Sequence, residues 1–277
     1  MASLENQAKQ KLQGMGWFGN KYADAADLYL QAANQYIIDK QMDKATEMYE
    51  FAYNNYMQAK MEEDAYQVIQ SMLKILKKDS ATAGEDKLLL YTDKLIQHLL
   101  QKGRFHMAAN FAKQLAEAHH DNNIKIKYYL KAGEWYEQED AKALGMKCFH
   151  LHALALVTDK QYELALAKME YIASNALSDN LQKYMVKEYL FVALMIAMNL
   201  DVLLLNQKLQ EYSNMDPSFV QSREYKCIEQ LASALEEGDS EQFSTVLRQY
   251  DQMSKLDDMK TNLLLSVKQN MDKEVFA

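Results

Sequence analysis

The chain has 277 residues with one proline, eight glycines and a net charge of −8 at pH 7, and so few helix breakers favour an all-helical protein without sheets. The acidic balance disfavours nucleic-acid binding, because neutralising phosphates requires an excess of Lys and Arg on the contacting face. No apolar run reaches the roughly 18 residues needed to cross a bilayer, and the polar N-terminus lacks the features of a secretory signal, so we expect a cytoplasmic protein.

The first predicted element is a short polar helix, followed by a glycine-flanked loop at residues 14–20 that contains Met15, Trp17 and Phe18. Large exposed aromatic side chains beside glycines suit a wedge at a membrane surface, where Trp favours the headgroup boundary. The alternative is that Trp17 and Phe18 pack back onto the first pair of helices.

A four-residue pattern then recurs every twenty residues. Its offsets of four, seven and eleven place the members on one helical stripe, and the small alanines let a neighbouring helix approach closely. The copies are Ala25, Tyr29, Ala32 and Tyr36; Ala45, Tyr49, Ala52 and Tyr56; Ala65, Ile69, Met72 and Leu76; and the partial copy Tyr129, Ala132 and Tyr136.

This spacing predicts an all-α fold: a curved, right-handed superhelical solenoid of tetratricopeptide-like antiparallel helix hairpins, with about fourteen helices. We predict a hairpin solenoid over residues 1–215 and a C-terminal helical bundle cap over residues 216–277, with Pro217 at the first helical position of the cap. Breaks between helices are predicted at Lys40–Gln41, Lys60–Glu62, Asp79–Glu85, Gln138–Asp140, Thr158–Lys160 and Asn175–Asp179.

Five segments resemble the SNAP (soluble NSF attachment protein) family, in family order and over nearly the whole chain. This chain resembles the alpha and beta types of the family more than the gamma type. The segments are WFGNKYADAADLYLQAAN at 17–34, GRFHMAANFAKQLAEAH at 103–119, LQKYMVKEYLFVALM at 181–195, DPSFVQSREYK at 216–226 and QYDQMSKLDDMKTNLLLSVK at 249–268.

The resemblance implies a non-catalytic adaptor in vesicle fusion and intracellular protein transport. Such a protein is a monomer when free, and several copies surround an assembled SNARE four-helix bundle and recruit the AAA ATPase NSF, which disassembles the bundle. The family also implies that the loop at 14–20 touches the membrane surface, which makes the protein a peripheral one on the cytosolic face.

The resemblance further assigns SNARE-binding charges to Arg104, Lys147, Lys183, Lys187 and Arg223. A basic stripe on an acidic chain would steer the protein toward an acidic bundle. The alternative is that these are ordinary solvated charges. Asn110 and Leu151 stand where the family usually has basic residues.

NSF binding is assigned by resemblance to the C-terminal end of the chain. A frayed polar terminus is the alternative there. Phe276 takes the place of a family leucine, and Ser233 that of an expected acidic residue. The assigned residues are Asp201, Glu236, Glu237, Asp272, Glu274 and Phe276.

The sequence gives only weak indications of a catalytic, cofactor or metal site, so we predict no enzyme activity, no cofactor and no metal site. Cys148 and His152 have ligand-like spacing beside His150, but no second ligand pair matches them. Cys148 and Cys227 are expected to be reduced, packed thiols. Two other functions stay open: a general tetratricopeptide-like peptide-binding scaffold or cochaperone, and a regulatory subunit of an enzyme.

Overall fold

The computed structural model describes residues 3–14, 20–78, 82–179 and 183–275, without the side chains of residues 82–83 and 274–275. All regular structure in these ranges is helical, which confirms the predicted all-α class and helix number. The curvature and handedness of the superhelix stay predictions. The helices are α1 Leu4–Gln13, α2 Lys21–Ile38, α3 Met42–Gln58, α4 Glu62–Leu76, α5 Thr82–Gln101, α6 Phe105–Ala118, α7 Asn122–Gln138, α8 Lys142–Thr158, α9 Tyr162–Ser178, α10 Val186–Leu200, α11 Val202–Met215, α12 Arg223–Glu236, α13 Ser240–Met253 and α14 Asp258–Val275.

The repeated stripe is the core face of the helices. Every member of the predicted copies is buried except Tyr36, which is half-buried. The same offsets hold buried residues in four more helices, where the side chains no longer follow the Ala and Tyr pattern. These are Leu88, Thr92, Leu95 and Leu99 in α5; Ala108, Ala112 and Leu115 in α6 with His119, the residue that follows it; Gly145, Phe149, His152 and Leu156 in α8; and Ala165, Met169, Ile172 and Ala176 in α9.

Six of the turns between helices share one hydrogen-bonded form. After α2, for example, the N–H of Gln41 donates to the carbonyl of Tyr36 at 2.8 Å and that of Lys40 donates to Ile37 at 3.0 Å. This is a Schellman motif, which requires a left-handed residue after the helix. The left-handed residues are Lys40, Lys60, Asp140, Lys160, Gly103 and Gly238, with φ between 55° and 68°.

Replacing Lys60 by glycine should stabilise the protein. Lys60 has φ 60°, a conformation that is unfavourable for a residue with a Cβ and open to glycine. We expect Lys60→Gly to raise the free energy of unfolding by about 0.5–1 kcal/mol, measured from the urea midpoint. Lys60→Ala, which removes the charge and keeps the Cβ, is the control; equal stabilisation by both variants would contradict the backbone explanation.

Three boundaries were predicted wrongly. Helix α5 begins at Thr82, inside the break predicted at Asp79–Glu85. Helix α9 runs on to Ser178 through the break predicted at Asn175–Asp179. Ala176 continues the buried stripe of the helix, and the Asn175 amide donates to the Tyr171 carbonyl of the same helix at 2.8 Å.

Pro217 is the third correction, since it does not open a helix. It precedes a 3-10 turn at Phe219–Gln221, and α12 begins only at Arg223. The Ser222 hydroxyl caps α12 by accepting from the N–H of Tyr225 at 3.0 Å, and Phe219 is fully buried beneath the turn. A serine cap and a buried aromatic anchor therefore set this helix start.

The chain forms two compact units, Met1–His119 and His120–Ala277. The first contains α1–α6, and the second is built around α10, which is buried on every side from Tyr189 to Met198 and packs against α9, α11, α12 and α14. A helix that is apolar all round belongs in a protein core. No described helix is long and apolar enough to cross a membrane. The predicted boundary between residues 215 and 216 stays a prediction.

Helices α7 and α8 approach closely at two glycines. A Cβ placed on Gly133 would lie 2.4 Å from Cε1 of Phe149, and one on Gly145 would lie 3.2 Å from Cγ of Glu137. Gly133 therefore leaves the space that the buried Phe149 ring occupies.

Gly133→Ala should destabilise the protein by about 1–3 kcal/mol, because the new methyl group displaces the Phe149 ring from a packed core. In a Phe149→Leu background the clash is gone, and the same substitution should be neutral or stabilising by up to ~1 kcal/mol, since alanine favours the helix. Thermal unfolding of the four proteins in this cycle measures both effects. Additive behaviour would refute the proposed contact.

Candidate functional site

Of the five basic candidates, Arg104 lies in the first unit. It is exposed at the N-terminal cap position of α6, directly after the left-handed Gly103. Its backbone N–H closes the Schellman turn by donating to the Leu99 carbonyl at 2.8 Å. The turn therefore fixes the backbone position of Arg104 and leaves its side chain in solvent.

The other four basic residues belong to the second unit. Lys147 is exposed on α8, and Lys183 is exposed in the 3-10 turn before α10. Lys187 is half-buried in the first turn of α10, and Arg223 is the exposed first residue of α12. Three different helices and one turn thus carry these four charges.

Ring contacts connect the segments that carry three of these charges. The ring of His150, one turn after Lys147, lies 5.4 Å from that of Tyr189 on α10. The ring of Phe191, one turn after Lys187, lies 5.2 Å from that of Tyr250.

Tyr250 extends this connection to α12, because its hydroxyl lies 3.5 Å from Oε1 of Glu224, the neighbour of Arg223. The segments around Lys147, Lys187 and Arg223 therefore meet in one part of the second unit.

Two acidic side chains near Lys187, Glu188 and Asp257, are paired with Lys260. Nζ of Lys260 lies 2.5 Å from Oε1 of Glu188 and 2.8 Å from Oδ2 of Asp257. Burial disfavours the charge on Lys260, but hydrogen bonds to Asp257 and Glu188 outweigh this and raise its pKa. Glu188 is thus engaged by Lys260 and not by its neighbour Lys187.

The five basic candidates differ from Lys260 in this respect. Within the described ranges, none of Arg104, Lys147, Lys183, Lys187 and Arg223 forms an ion pair. Burial lowers the pKa of His150 below its ordinary value of 6.5, so this imidazole is neutral at pH 7 and adds no charge.

Four of the acidic candidates lie at the other end of the second unit, and each accepts a hydrogen bond that fixes its carboxylate. Asp201 caps α11 by accepting from the N–H of Leu203 at 3.2 Å, and Glu236 accepts from the amide of Asn206. Glu237 accepts from the hydroxyl of Ser233 at 3.2 Å, and Asp272 from that of Ser240 at 2.6 Å.

A pocket of about 500 Å³ lies at this end of the unit, and Asp201 lines it together with Leu235, Gly238 and Met271. Glu236 and Glu237 lie between Leu235 and Gly238 in sequence, and Asp272 follows Met271. The structure therefore brings Asp201, Glu236, Glu237 and Asp272 to one end of the unit. The amide of Asn199 links α10 to α14 at this end. It donates to the carbonyl of Met195 on α10 at 2.9 Å and to that of Leu263 on α14 at 3.1 Å.

The comparison with known families matches this chain to one model, "Soluble NSF attachment protein, SNAP", over residues 1–272. The chain belongs to the SNAP family. Among its relatives, the alpha-soluble NSF attachment protein of Vitis vinifera is 34% identical over 270 residues, covering 96% of this chain and 92% of the relative. A probable vesicular-fusion protein of Schizosaccharomyces pombe is 31% identical over 278 residues, covering 97% and 95%.

Among solved structures, a crystal structure of C. therm. Get4 aligns with this SNAP with a TM-score of 0.37 and 11% identity, over 95% of this chain and 87% of that one. A similarity at this level has no bearing on function.

The structure describes the three positions at which the resemblance predicts a different kind of residue. Asn110 is exposed on α6 and Leu151 is half-buried on α8. Ser233 is exposed on α12, where its hydroxyl donates to Glu237. Ser233 therefore supports a neighbouring carboxylate at the position where an acidic side chain was expected.

Other assigned residues of this SNAP cannot be placed. Met15, Trp17 and Phe18 of the loop at 14–20, and Phe276 of the tail, lie outside the described residues, as does the side chain of Glu274.

The thiols of this SNAP are packed, as predicted. Cys148 and Cys227 are both buried and free of disulfides, and burial raises the pKa of Cys227 to about 12, which keeps it a thiol. His152 is also a packed side chain, since its Nδ1 lies 2.9 Å from the Ile126 carbonyl. Within the described ranges no group of three His, Cys, Asp or Glu side chains could hold a metal ion.

Proposed function

We propose that this chain is a non-enzymatic adaptor that binds assembled SNARE complexes and recruits and stimulates an NSF-type AAA ATPase for their disassembly. It would act in vesicle fusion and intracellular protein transport. The observation that carries the proposal is the match to the SNAP family over residues 1–272, with relatives described as an NSF attachment protein and a vesicular-fusion protein.

We assign SNARE contact to Arg104, Lys147, Lys183, Lys187 and Arg223. Their lack of ion pairs within the described ranges supports the assignment, because a charge already neutralised by its own chain contributes little to a partner. With a net charge of −8 on the whole chain, binding would depend on these local positive charges and would weaken as salt screens them.

We assign ATPase contact to Asp201, Glu236, Glu237 and Asp272, together with Glu274 and Phe276 of the tail. The hydrogen bonds that hold the first four carboxylates support this assignment, because preorganised side chains lose less entropy on binding. A basic surface on the ATPase is the complementary partner.

The loop at residues 14–20 would touch the membrane through Met15, Trp17 and Phe18, which makes the protein peripheral on the cytosolic face. Several copies would surround one SNARE bundle, while the free protein would be a monomer. Both statements rest on the family resemblance.

The decisive experiment is disassembly of a preformed SNARE complex by NSF and ATP, with this protein as the only adaptor. We expect ATP-dependent loss of the complex that requires the chain. A parallel pull-down compares the preformed bundle with single unfolded SNARE chains, and an adaptor of this type should prefer the bundle. Binding to isolated chains without disassembly would favour the peptide-binding scaffold instead.

A further inference from the structure

The first unit contains a pocket of about 550 Å³ that belongs to neither of the proposed partner surfaces. It lies among the C-terminal end of α2, the first half of α3 and the last turns of α4. Its size is in the range of small-molecule sites, which typically measure about 300–1,000 Å³.

One wall of the pocket is a stripe of α4 that does not belong to the core. Ser71, Lys74 and Ile75 of α4 line the pocket, and so does Lys78, two residues past the end of the helix. The N–H of Lys78 donates to the Ile75 carbonyl at 2.9 Å, so Lys78 continues the same side at spacings of three, four and seven. The core stripe of α4, Ala65 to Leu76, occupies a different face. Helix α4 therefore presents a second face that is partly basic and partly apolar.

The other wall comes from α2 and α3 and is apolar apart from Asp43. Ile37 and Met42 flank the turn between α2 and α3, and Met42 is 42% exposed although it lines the pocket. The adjacent Ile38 is 73% exposed. The buried ring of Tyr49 closes the base, and its hydroxyl already donates to Oδ1 of Asn34 at 3.1 Å. An alkyl chain fits this wall better than a polar ligand does.

The charges on the rim favour an anion. Lys74 and Lys78 are both exposed, lie one turn apart, and form no ion pair within the described ranges, so their positive charges repel each other. Asp43 is the carboxylate among the lining residues and is likewise without an ion pair there. A bound anion between the two lysines would relieve the repulsion.

We propose that this pocket binds a long-chain fatty acid, with the alkyl chain against Ile37, Met42 and Ile75 and the carboxylate between Lys74 and Lys78. The hydroxyl of Ser71 would donate to the same carboxylate. Lysine ammonium groups pair with carboxylates and phosphates alike, so competition with lysophosphatidate is the experiment that separates the two anions.

The test is a titration with cis-parinaric acid, a fatty acid that fluoresces when buried, below its micelle concentration. The wild-type protein should bind one molecule saturably and release it to palmitate but not to hexadecanol, which lacks the carboxylate. Lys74→Glu with Lys78→Glu should weaken binding at least about tenfold. Ile75→Asn, which places an amide against the chain, should weaken it about tenfold.

The matched control is Lys9→Glu with Lys226→Glu, which changes the net charge equally at two exposed lysines outside the pocket; its affinity should stay within about twofold of wild type. Circular dichroism checks that each variant is folded.

Four results would overturn the proposal: no saturable binding, equal competition by hexadecanol, no effect of the Lys74 and Lys78 reversals, or binding of lysophosphatidate more than tenfold tighter than palmitate. The assay needs neither SNAREs nor ATPase, so its outcome is independent of the proposed adaptor function.

Discussion

Reversing Lys187 and Arg223 to glutamate should weaken binding to an assembled SNARE bundle by about 30- to 100-fold, or ~2–3 kcal/mol. Both side chains lack an ion pair within the described ranges, so each reversal replaces an attraction to an acidic bundle by a repulsion. The measurement is the dissociation constant at two salt concentrations. The loss should be smaller at high salt, where the wild-type attraction is itself screened.

Lys142→Glu with Lys255→Glu is the matched control for this prediction. These lysines are 73% and 82% exposed and pair with Asp140 at 3.5 Å and Asp251 at 2.6 Å. The control makes the same change in net charge at charges that the chain already neutralises. Equal loss of binding in both double variants would mean that only the overall charge matters, and the assignment of Lys187 and Arg223 would fail.

Asp201→Asn combined with Glu236→Lys and Glu237→Lys should reduce the stimulated ATPase activity of NSF by at least about tenfold, since three charges facing a basic partner are removed or reversed. Asparagine at position 201 keeps an oxygen to cap α11, so the helix start should survive. The readout is ATP hydrolysis in the presence of SNARE complex, together with SNARE binding, which should be unchanged.

Glu139→Lys with Glu163→Lys, at two exposed positions elsewhere in the second unit, raises the net charge by four units against five in the triple variant and so controls for most of the change in charge. Removal of residues 274–277 tests the tail separately and leaves Met271, which is 6% exposed, in the core. A longer deletion that includes Met271 would confuse loss of packing with loss of binding. Full ATPase stimulation by the triple variant would exclude this end as the contact surface.

Much of the fold was predictable because the repeat places small and large side chains at fixed offsets. Alternating Ala and Tyr at fixed offsets identified the core faces of α2 and α3, and apolar residues at the same offsets identified that of α4. The same faces of α5, α6 and α8 were not predicted, because Thr92, Gly145 and His152, together with His119 after the end of α6, interrupt the apolar pattern at these offsets. Buried polar side chains need partners that the sequence does not reveal, such as the Ile126 carbonyl beside His152.

The candidate site was predictable only through the family resemblance. Exposed lysines have no local pattern that distinguishes a binding charge from a solvated one. The pairing of Lys260 with Glu188 and Asp257 joins α10 to the start of α14 across a long stretch of sequence. No spacing rule predicts such a contact, although it determines which acidic groups near Lys187 are already occupied.

The enclosure of α10 has a mechanical consequence. In a simple stack of hairpins the last helix touches only its predecessor, so tension applied at that end can peel helices away one at a time. Here α12 and α14 both pack against α10, and the Asn199 amide fastens α14 to the end of α10. Pulling on the C-terminal end should therefore meet the resistance of the whole second unit at once, and we expect it to rupture in one step in a single-molecule stretching experiment.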